Sequence, residues 1–534
     1  MKFNKLFLGA AILSMGVLAS CSSDDEPAVN SGNDVKGDGY ITVKFKTAGI
    51  GESRAEGDAY EVGTDAEGKV TAANTRFYFF DAKGNPFTMT AAGNVNGTAA
   101  SNMVTPLEVN QPQNNTNGNT TGATGVLVLG KGTGQGYEGV VPYQAVCVSN
   151  GDQDFMDKLA NKSLDVLALM TAEGEANKFM MSNSNYDGAG RMGAVTVGDK
   201  IKSTPEEANA DPVDFYLERL AVKVRIDSET KKEFTAQEKK EDGSYADAIY
   251  TIYDVNLMGN QQKKETKLHV QLTDWQLVKT VAKAYTIKQL PENMWTGWND
   301  ATYHRSYWAK SMATASDVQK KFFDIYKDEN WKSFKSSDYT DYTWEFTDAQ
   351  NVDSENDRDH NAITTSVVVR AYVQEQVGEE WKNIELVKWA GTYYTLAAFK
   401  QQIVNTYNPE HKDAQITVDK VNLVYSGGVE GNDNYWKVMI GEGESAEEYT
   451  TYTNIKYWKD GVTSFYLNIK HGVDDDGANV YGVVRNHIYE YDFTNIVGLG
   501  VPGNNPDKES GETFVAAGIN VLNWKIVSNS VVLE

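Results

Sequence analysis

The sequence predicts a mainly β protein built of two tandem β-sandwich domains with a few short helices. Apolar and polar residues alternate over many short runs, the period of a strand with one buried face. Helical periodicity is confined to a handful of stretches. The breaks between strands are Gly, Asn, Pro and Asp turns at irregular intervals, which favours sandwiches over βαβ units. At 534 residues the chain exceeds what one core serves, so two or three domains are expected.

The chain opens "MKFNKLFLGAAILSMGVLASC". Lys2 and Lys5 form a positive start, and Leu6 to Leu18 is an apolar stretch too short for a comfortable membrane span. Leu18-Ala19-Ser20-Cys21 matches a bacterial lipobox, in which small residues admit the peptidase and the thiol carries the diacylglycerol. Residues 1–20 are therefore expected to be a lipoprotein signal peptide. Residues 21–39, acidic and small, read as a tether.

The first strand follows at Tyr40–Thr47, where Ile41, Val43 and Phe45 stand between Thr42, Lys44 and Lys46. It runs into "GESRAEGD", an accessible loop over 48–56 that carries Arg54. Further strands are read in "NTRFYFFDAKGNPF", "GVLVLG", "YQAVCVSN" and "VDFYLERLAVKVRID", and later in "LHVQLTDWQLV", "TSVVVRAYVQE" and "TSFYLNIKH". Helical spacing appears in Phe155–Met170, in "SDVQKKFFDIY" behind Ser316, and in "TLAAFKQQIVNTY" behind the cap Thr395. "EEANADP" interrupts the apolar pattern near 206–212. The domains are therefore expected at 40–210 and 211–500, with 501–534 as a Gly/Pro linker and a terminal strand segment.

Composition and motifs leave little room for catalysis. Seventy-four acidic against 50 basic residues give a net charge of −24, which disfavours nucleic acid and anionic lipid as partners. Apart from Cys21 there is one cysteine, Cys147, so no intrachain disulfide forms in the lipidated protein, and its alternating context is that of a core strand. "GTGQGYEG" spells Gly134-x-Gly136-x-x-Gly139, but a proline and a strand follow it where a phosphate site needs a helix. His269, His304, His360, His411, His471 and His487 form no metal-ligand spacing, and no metal or cofactor is expected. "VDDDG" at 473–477 and "DSENDRDH" at 353–360 are fragments of acidic loops, read as solvated turns, with weak calcium binding as the alternative. Trp295, Trp298 and Trp308 could form a sugar platform, although aromatics in strands more often pack.

Several segments together resemble the Mfa/FimA group of type V fimbrillins, pilus subunits of Bacteroidales. They are the lipobox at Cys21, the arginine loop after the first strand, the Arg219-x-Ala221 step in "YLERLAVKVRID", "TYHRSYWAKS", and above all "YGVVRNHIYEYDFTNIVGLGVPG" with the closing "INVLNWKIVSNSVVLE". The acidic run after Cys21 is similar to the surface-export signal of lipoproteins in the same phylum. The resemblance implies transthyretin-like sandwiches and no enzymatic activity. It implies a surface fimbrium supporting adhesion, reached by way of an outer-membrane lipoprotein precursor. It also implies an Arg-specific protease that cuts the Arg54–Ala55 bond, releasing the lipid anchor and the strand bearing Ile41, Val43 and Phe45. Its partners are then further copies of the chain and accessory fimbrial subunits. The terminal segment with Ile519, Val521, Trp524, Ile526, Val531 and Leu533 is the implied donor strand of a neighbour.

The physics of such an exchange is general. A strand over Tyr40–Thr47 spans ~27 Å. Removing it strips neighbouring N–H and C=O groups of partners and opens an apolar groove. A second strand with matching alternation satisfies both. Because the two surfaces differ, repetition builds a filament. A shaft subunit needs both a cut site and a tail, which this chain carries; a tip or accessory subunit is the alternative within the family. The alternative outside it is a membrane-anchored, glycan-binding surface lipoprotein.

Overall fold

The computed structural model describes residues 39–47, 59–60, 65–90, 100–110, 123–133, 140–173, 179–184, 194–228, 230–242, 244–256, 260–290, 299–300, 305–306, 308–314, 331–335, 339–350, 362–425, 436–473, 478–502, 514–520 and 525–526. Over these the protein is mainly β, as the alternation predicts.

The first domain is one nine-stranded sheet. Its principal strands are β1 (Gly39–Thr47), β2 (Thr75–Phe80), β3 (Thr124–Leu129), β4 (Gln144–Ser149), β5 (Met181–Asn183) and β6 (Val213–Arg219). They lie in the order β2-β4-β5-β6-β1-β3, with short strands completing the edges. Four strand steps separate β1 from β2, which in a flat sheet would be ~19 Å. Yet the rings of Phe45 and Phe77 are 6.1 Å apart. The sheet therefore rolls over on itself and encloses a core that includes Ile41, Phe79, Leu127, Cys147 and Phe215.

Two expectations shift here. The helical stretch Phe155–Met170 is two helices, α1 (Gln153–Leu159) and α2 (Leu164–Leu169). Asn161 turns left-handed at φ 58 between them, and Ser163 restarts the helix by accepting from the Val166 N–H. The break at "EEANADP" is a third short helix, α3 (Pro205–Ala210), capped by Thr204. The first sheet continues past 210, because β6, which ends at Arg219, pairs with β1. The chain crosses at Leu220, between β6 and β7 (Ala221–Ile226).

The second domain is a two-layer sandwich. Its strands are β7, β8 (His269–Val278), β9 (Thr340–Trp344), β10 (Ser366–Val377), β11 (Val462–Asn468) and β12 (His487–Val497). One layer carries β12-β7-β9 and the other β8-β10-β11. Val222, Val224 and Tyr491 from the first layer meet Trp275, Val369 and Phe465 from the second. That cluster runs on into Tyr78, Val146 and Met156, so the two domains share apolar contact. A third cluster gathers round helix α4 (Leu396–Glu410), which begins at Thr395 as expected and buries Phe399 and Ile403. The stretch headed by Ser316 lies outside the described residues.

Charges are buried where the domains join. Arg485 and Glu345 pair at 3.0 Å, both 0% exposed, and Arg485 also donates to the Tyr285 carbonyl at 2.8 Å. Lys288 pairs with Glu218 of β6 at 2.9 Å. Burial pulls the Lys288 ammonium below its ordinary pKa, against the carboxylates of Glu218 and Glu345, which raise it. Asn486, between Arg485 and His487, takes a left-handed φ of 59, a conformation asparagine tolerates better than most side chains. Its amide N–H donates to the Ala221 carbonyl.

Arg485→Ala strands Glu345 in a dry site. It is expected to lower unfolding free energy by about 3–5 kcal/mol in urea titration, with Arg485→Met/Glu345→Met recovering most of the loss. Equal loss in both variants would show that shape, rather than the stranded charge, sets the cost.

Candidate strand-exchange site

The strand that opens the fold sits in the middle of a sheet. On one side β1 runs parallel to β6, from Val43 opposite Val213 to Thr47 opposite Leu217. On the other it runs antiparallel to β3, from Gly39 opposite Leu129 to Lys44 opposite Thr124. Further backbone bonds tie Tyr40 to Lys202 in both directions and the Phe45 N–H to the Ala123 carbonyl.

Both faces of β1 are engaged. Ile41, Val43 and Phe45 are each 0% exposed, a burial worth about 1.5–3 kcal/mol per side chain. On the opposite face Thr42 is 3% exposed and its hydroxyl donates to Asn209 Oδ1 of α3 at 2.7 Å. Lys44 on the same face is exposed. The short helix thus covers part of the outer face, so β1 lies in a slot bounded by two strands, the core and α3.

The slot has a shaped floor. Gly125 of β3 stands opposite Val43. A Cβ there would lie 3.2 Å from the Phe45 ring and 3.3 Å from Val43 Cγ2, so the bare backbone makes room for both. Phe77 and Phe215 meet edge to face at 5.2 Å and, with the 6.1 Å approach of Phe45 to Phe77, form a run of three rings.

The segments that flank the slot reach the second domain. Cys21, Arg54 and Ala55 lie outside the described residues. Downstream, Ala59–Tyr60 forms a short strand, and the turn Asp65–Gly68 is pinned through Glu67. Lys223 pairs with Glu67 at 3.0 Å, the Tyr342 hydroxyl donates to its carboxylate at 2.8 Å, and Arg219 Nε donates to its carbonyl at 2.6 Å.

At the other end of the chain, β13 (Phe514–Asn520) pairs antiparallel with β12, from Val497 opposite Phe514 to Glu490 opposite Asn520. The two-residue β14 (Lys525–Ile526) pairs parallel with the start of β12 and antiparallel with Ala59–Tyr60. Ile519 and Ile526 lie in these strands. Val521, Trp524, Val531 and Leu533 lie outside the described residues. Strands β13 and β14 therefore belong to the sheet of β12, a different sheet from that of the slot.

Other sequence candidates resolve differently. Trp308 is only 8% exposed and packs edge-on to His471 at 5.4 Å, so it offers no face to a sugar. Trp295, Trp298, the glycines at 134–139 and the acidic loops at 353–360 and 474–477 lie outside the described residues. Cys147 is buried, and burial pushes its thiol pKa well up, which suits a core residue. Sequence spacing did not reveal that His471 and His487 approach to 5.0 Å. The Tyr489 hydroxyl contacts His471 Nδ1 at 2.6 Å and accepts the Val484 N–H, and among the described residues no three candidate ligands gather for a metal. Nor did spacing single out Asn209 or Gly125, since their roles depend on contacts across 167 residues and across a strand pair.

Residues 456–530, which hold β11 to β14, match the family model described as major fimbrial subunit protein type IV, fimbrillin, C-terminal. No curated protein matches the chain. Among solved structures, a candidate cell adhesion protein of Parabacteroides distasonis is 11% identical with a TM-score of 0.39, covering 90% of this chain and 98% of its own. The tip fimbrial protein Mfa3 of Porphyromonas gingivalis, truncated at its C-terminus, is 12% identical with a TM-score of 0.29, covering 91% and 99%. A fimbrial assembly protein of Parabacteroides distasonis is 9% identical with a TM-score of 0.28, covering 90% and 95%. With TM-scores below 0.5, the fold assignment stands on this chain's own sheets.

Phe45→Ala removes the largest plug of β1. It is expected to cost about 3–5 kcal/mol of stability and to raise amide exchange through Gly39–Thr47 ahead of the second domain. Uniform loosening of both domains would show that β1 is no separable unit.

Proposed function

We propose that this chain is a structural pilin, exported as a lipoprotein, cut after Arg54 and polymerised by strand exchange into the shaft of an adhesive surface fimbrium. The fimbrillin match over 456–530 supports the class of protein. The observation that carries the mechanism is that Ile41, Val43 and Phe45 are fully buried on a central strand which joins the rest of the fold through the loop bearing Arg54. One cut in that loop separates residues 21–54 from the body, and with them both the strand and the lipid on Cys21.

The emptied slot then exposes the inner edges of β3 and β6. The tail carrying Ile519, Val521, Trp524, Ile526, Val531 and Leu533 is the proposed occupant, supplied by another copy. To serve, β13 and β14 must leave β12, so the backbone bonds lost in the donor are remade in the acceptor. The Gly/Pro-rich 501–513 gives the tail its reach. Cut site and tail on one chain favour a shaft subunit, with the Arg-specific protease and accessory subunits as its other partners.

Mild trypsin treatment of the purified precursor tests this reading. It is expected to clip after Arg54, release the N-terminal fragment and yield detergent-resistant ladders. Clipped protein that stays monomeric with its strand bound would reject it. Arg54→Ala is expected to fold normally and remain anchored; fimbriae from that variant would place maturation elsewhere. A chain ending at Gly511 is expected to fold and be processed, then to cap growing ends. Undiminished filament growth would mean another segment is the donor.

A further inference from the structure

We propose that the subsite filled by Phe45 selects the incoming strand, and that Trp524 of a second copy of this chain fills it. The inference rests on the strand-exchange reading and names the residue that sets its register.

The subsite is built for a ring. Gly125 presents backbone where any side chain would stand 3.2 Å from the Phe45 ring. Phe77 and Phe215 continue the aromatic wall, and the Phe45 N–H to Ala123 carbonyl bond fixes the strand's height at this point. The other inward positions of β1 hold the aliphatics Val43 and Ile41.

The tail offers few ways to match this pattern. Side chains alternate along a strand, so Ile519 and Val521 face one side of a regular strand and Trp524 and Ile526 the other. Only one of these pairs can enter the core. From residue 514 onward the aromatics are Phe514 and Trp524. Phe514 is followed at two-residue steps by Ala516 and Gly518, which would leave the Val43 and Ile41 positions unfilled.

Trp524 has Leu522 two residues before it and Ile526 two residues after it. An aliphatic side chain therefore reaches the Val43 position whichever way the strand runs. The Ile41 position receives Asn520 in one direction and Ser528 in the other. The apolar grip is then concentrated in two subsites, and Trp524 carries the larger share of it.

The test follows ladder formation by precursor clipped at Arg54. Trp524→Ala is expected to slow assembly by roughly tenfold or more, and Trp524→Phe to stay within about threefold of the parent. Ile519→Ala/Val521→Ala, on the opposite side of the strand, is expected to slow assembly several-fold less than Trp524→Ala. Circular dichroism and amide exchange of each uncut precursor separate a folding defect from an assembly defect, and the rescue by phenylalanine identifies the ring as the requirement. Parent-like assembly by Trp524→Ala, or a failure confined to Ile519→Ala/Val521→Ala, overturns the inference while leaving strand exchange intact. If the clipped parent itself forms no ladders, both readings fall.

Discussion

A strand in the interior of a sheet must be paired along both edges and covered on both faces, and β1 meets all four demands at once. Its partners β3 and β6 are themselves interior to the sheet, so neither can be completed without it. The roll of the sheet makes the demand stricter. Because Phe45 touches Phe77 across four strand steps, the same side chain that fills the slot also closes the barrel-like core.

The second constraint is the continuity of Val213–Ile226. One nearly unbroken run supplies β6 beside β1 and β7 beside β12, with Leu220 as the crossing. The pairing of β1 with β6 ends at Leu217, close to the start of β7 at Ala221. The buried charges sit round this crossing: Glu218 and Arg219 on its near side, Lys223 on its far side, each held by a partner from the opposite domain or from the turn at Glu67. Buried ion pairs rarely add much net stability, but a misplaced one is costly, so they resist alternative domain orientations. A filament whose subunits are joined by strands gains from such a fixed angle, since an error at one joint repeats at each of them.

The sequence made the strands legible wherever alternation was clean. Ile41, Val43 and Phe45, the Cys147 strand and the Thr395 cap all appear as read. It was less informative where local signals had two meanings. "EEANADP" reads as a domain break because it interrupts the apolar pattern, yet with Thr204 as cap and Pro205 at the first position its start forms α3. Phe155–Met170 keeps helical spacing across an interruption that only the left-handed Asn161 discloses. Trp308 has the composition of a sugar platform, yet burial against His471 removes its face from solvent. The slot's floor at Gly125 was invisible because the strand "GVLVLG" does not disclose which residue stands across the sheet from its first glycine.

The proposed exchange also explains why a covalent cut is needed at all. A strand joined to its slot by a loop of about a dozen residues competes at an effective concentration on the order of millimolar. A tail from another molecule cannot approach that in dilute solution, however well it fits. In this reading, fit alone leaves the precursor monomeric. Breaking the loop removes the advantage without altering a single contact in the slot. From then on β1 and the tail compete as separate molecules, and the difference is decided by what each brings to the rings around Gly125 and by the body attached behind it. The short strand leaves alone, whereas a tail brings a second domain whose surface can add contacts. In the proposed exchange, the pairing that guards the precursor would also hold the filament, with the change of owner set by connectivity rather than by a stronger bond.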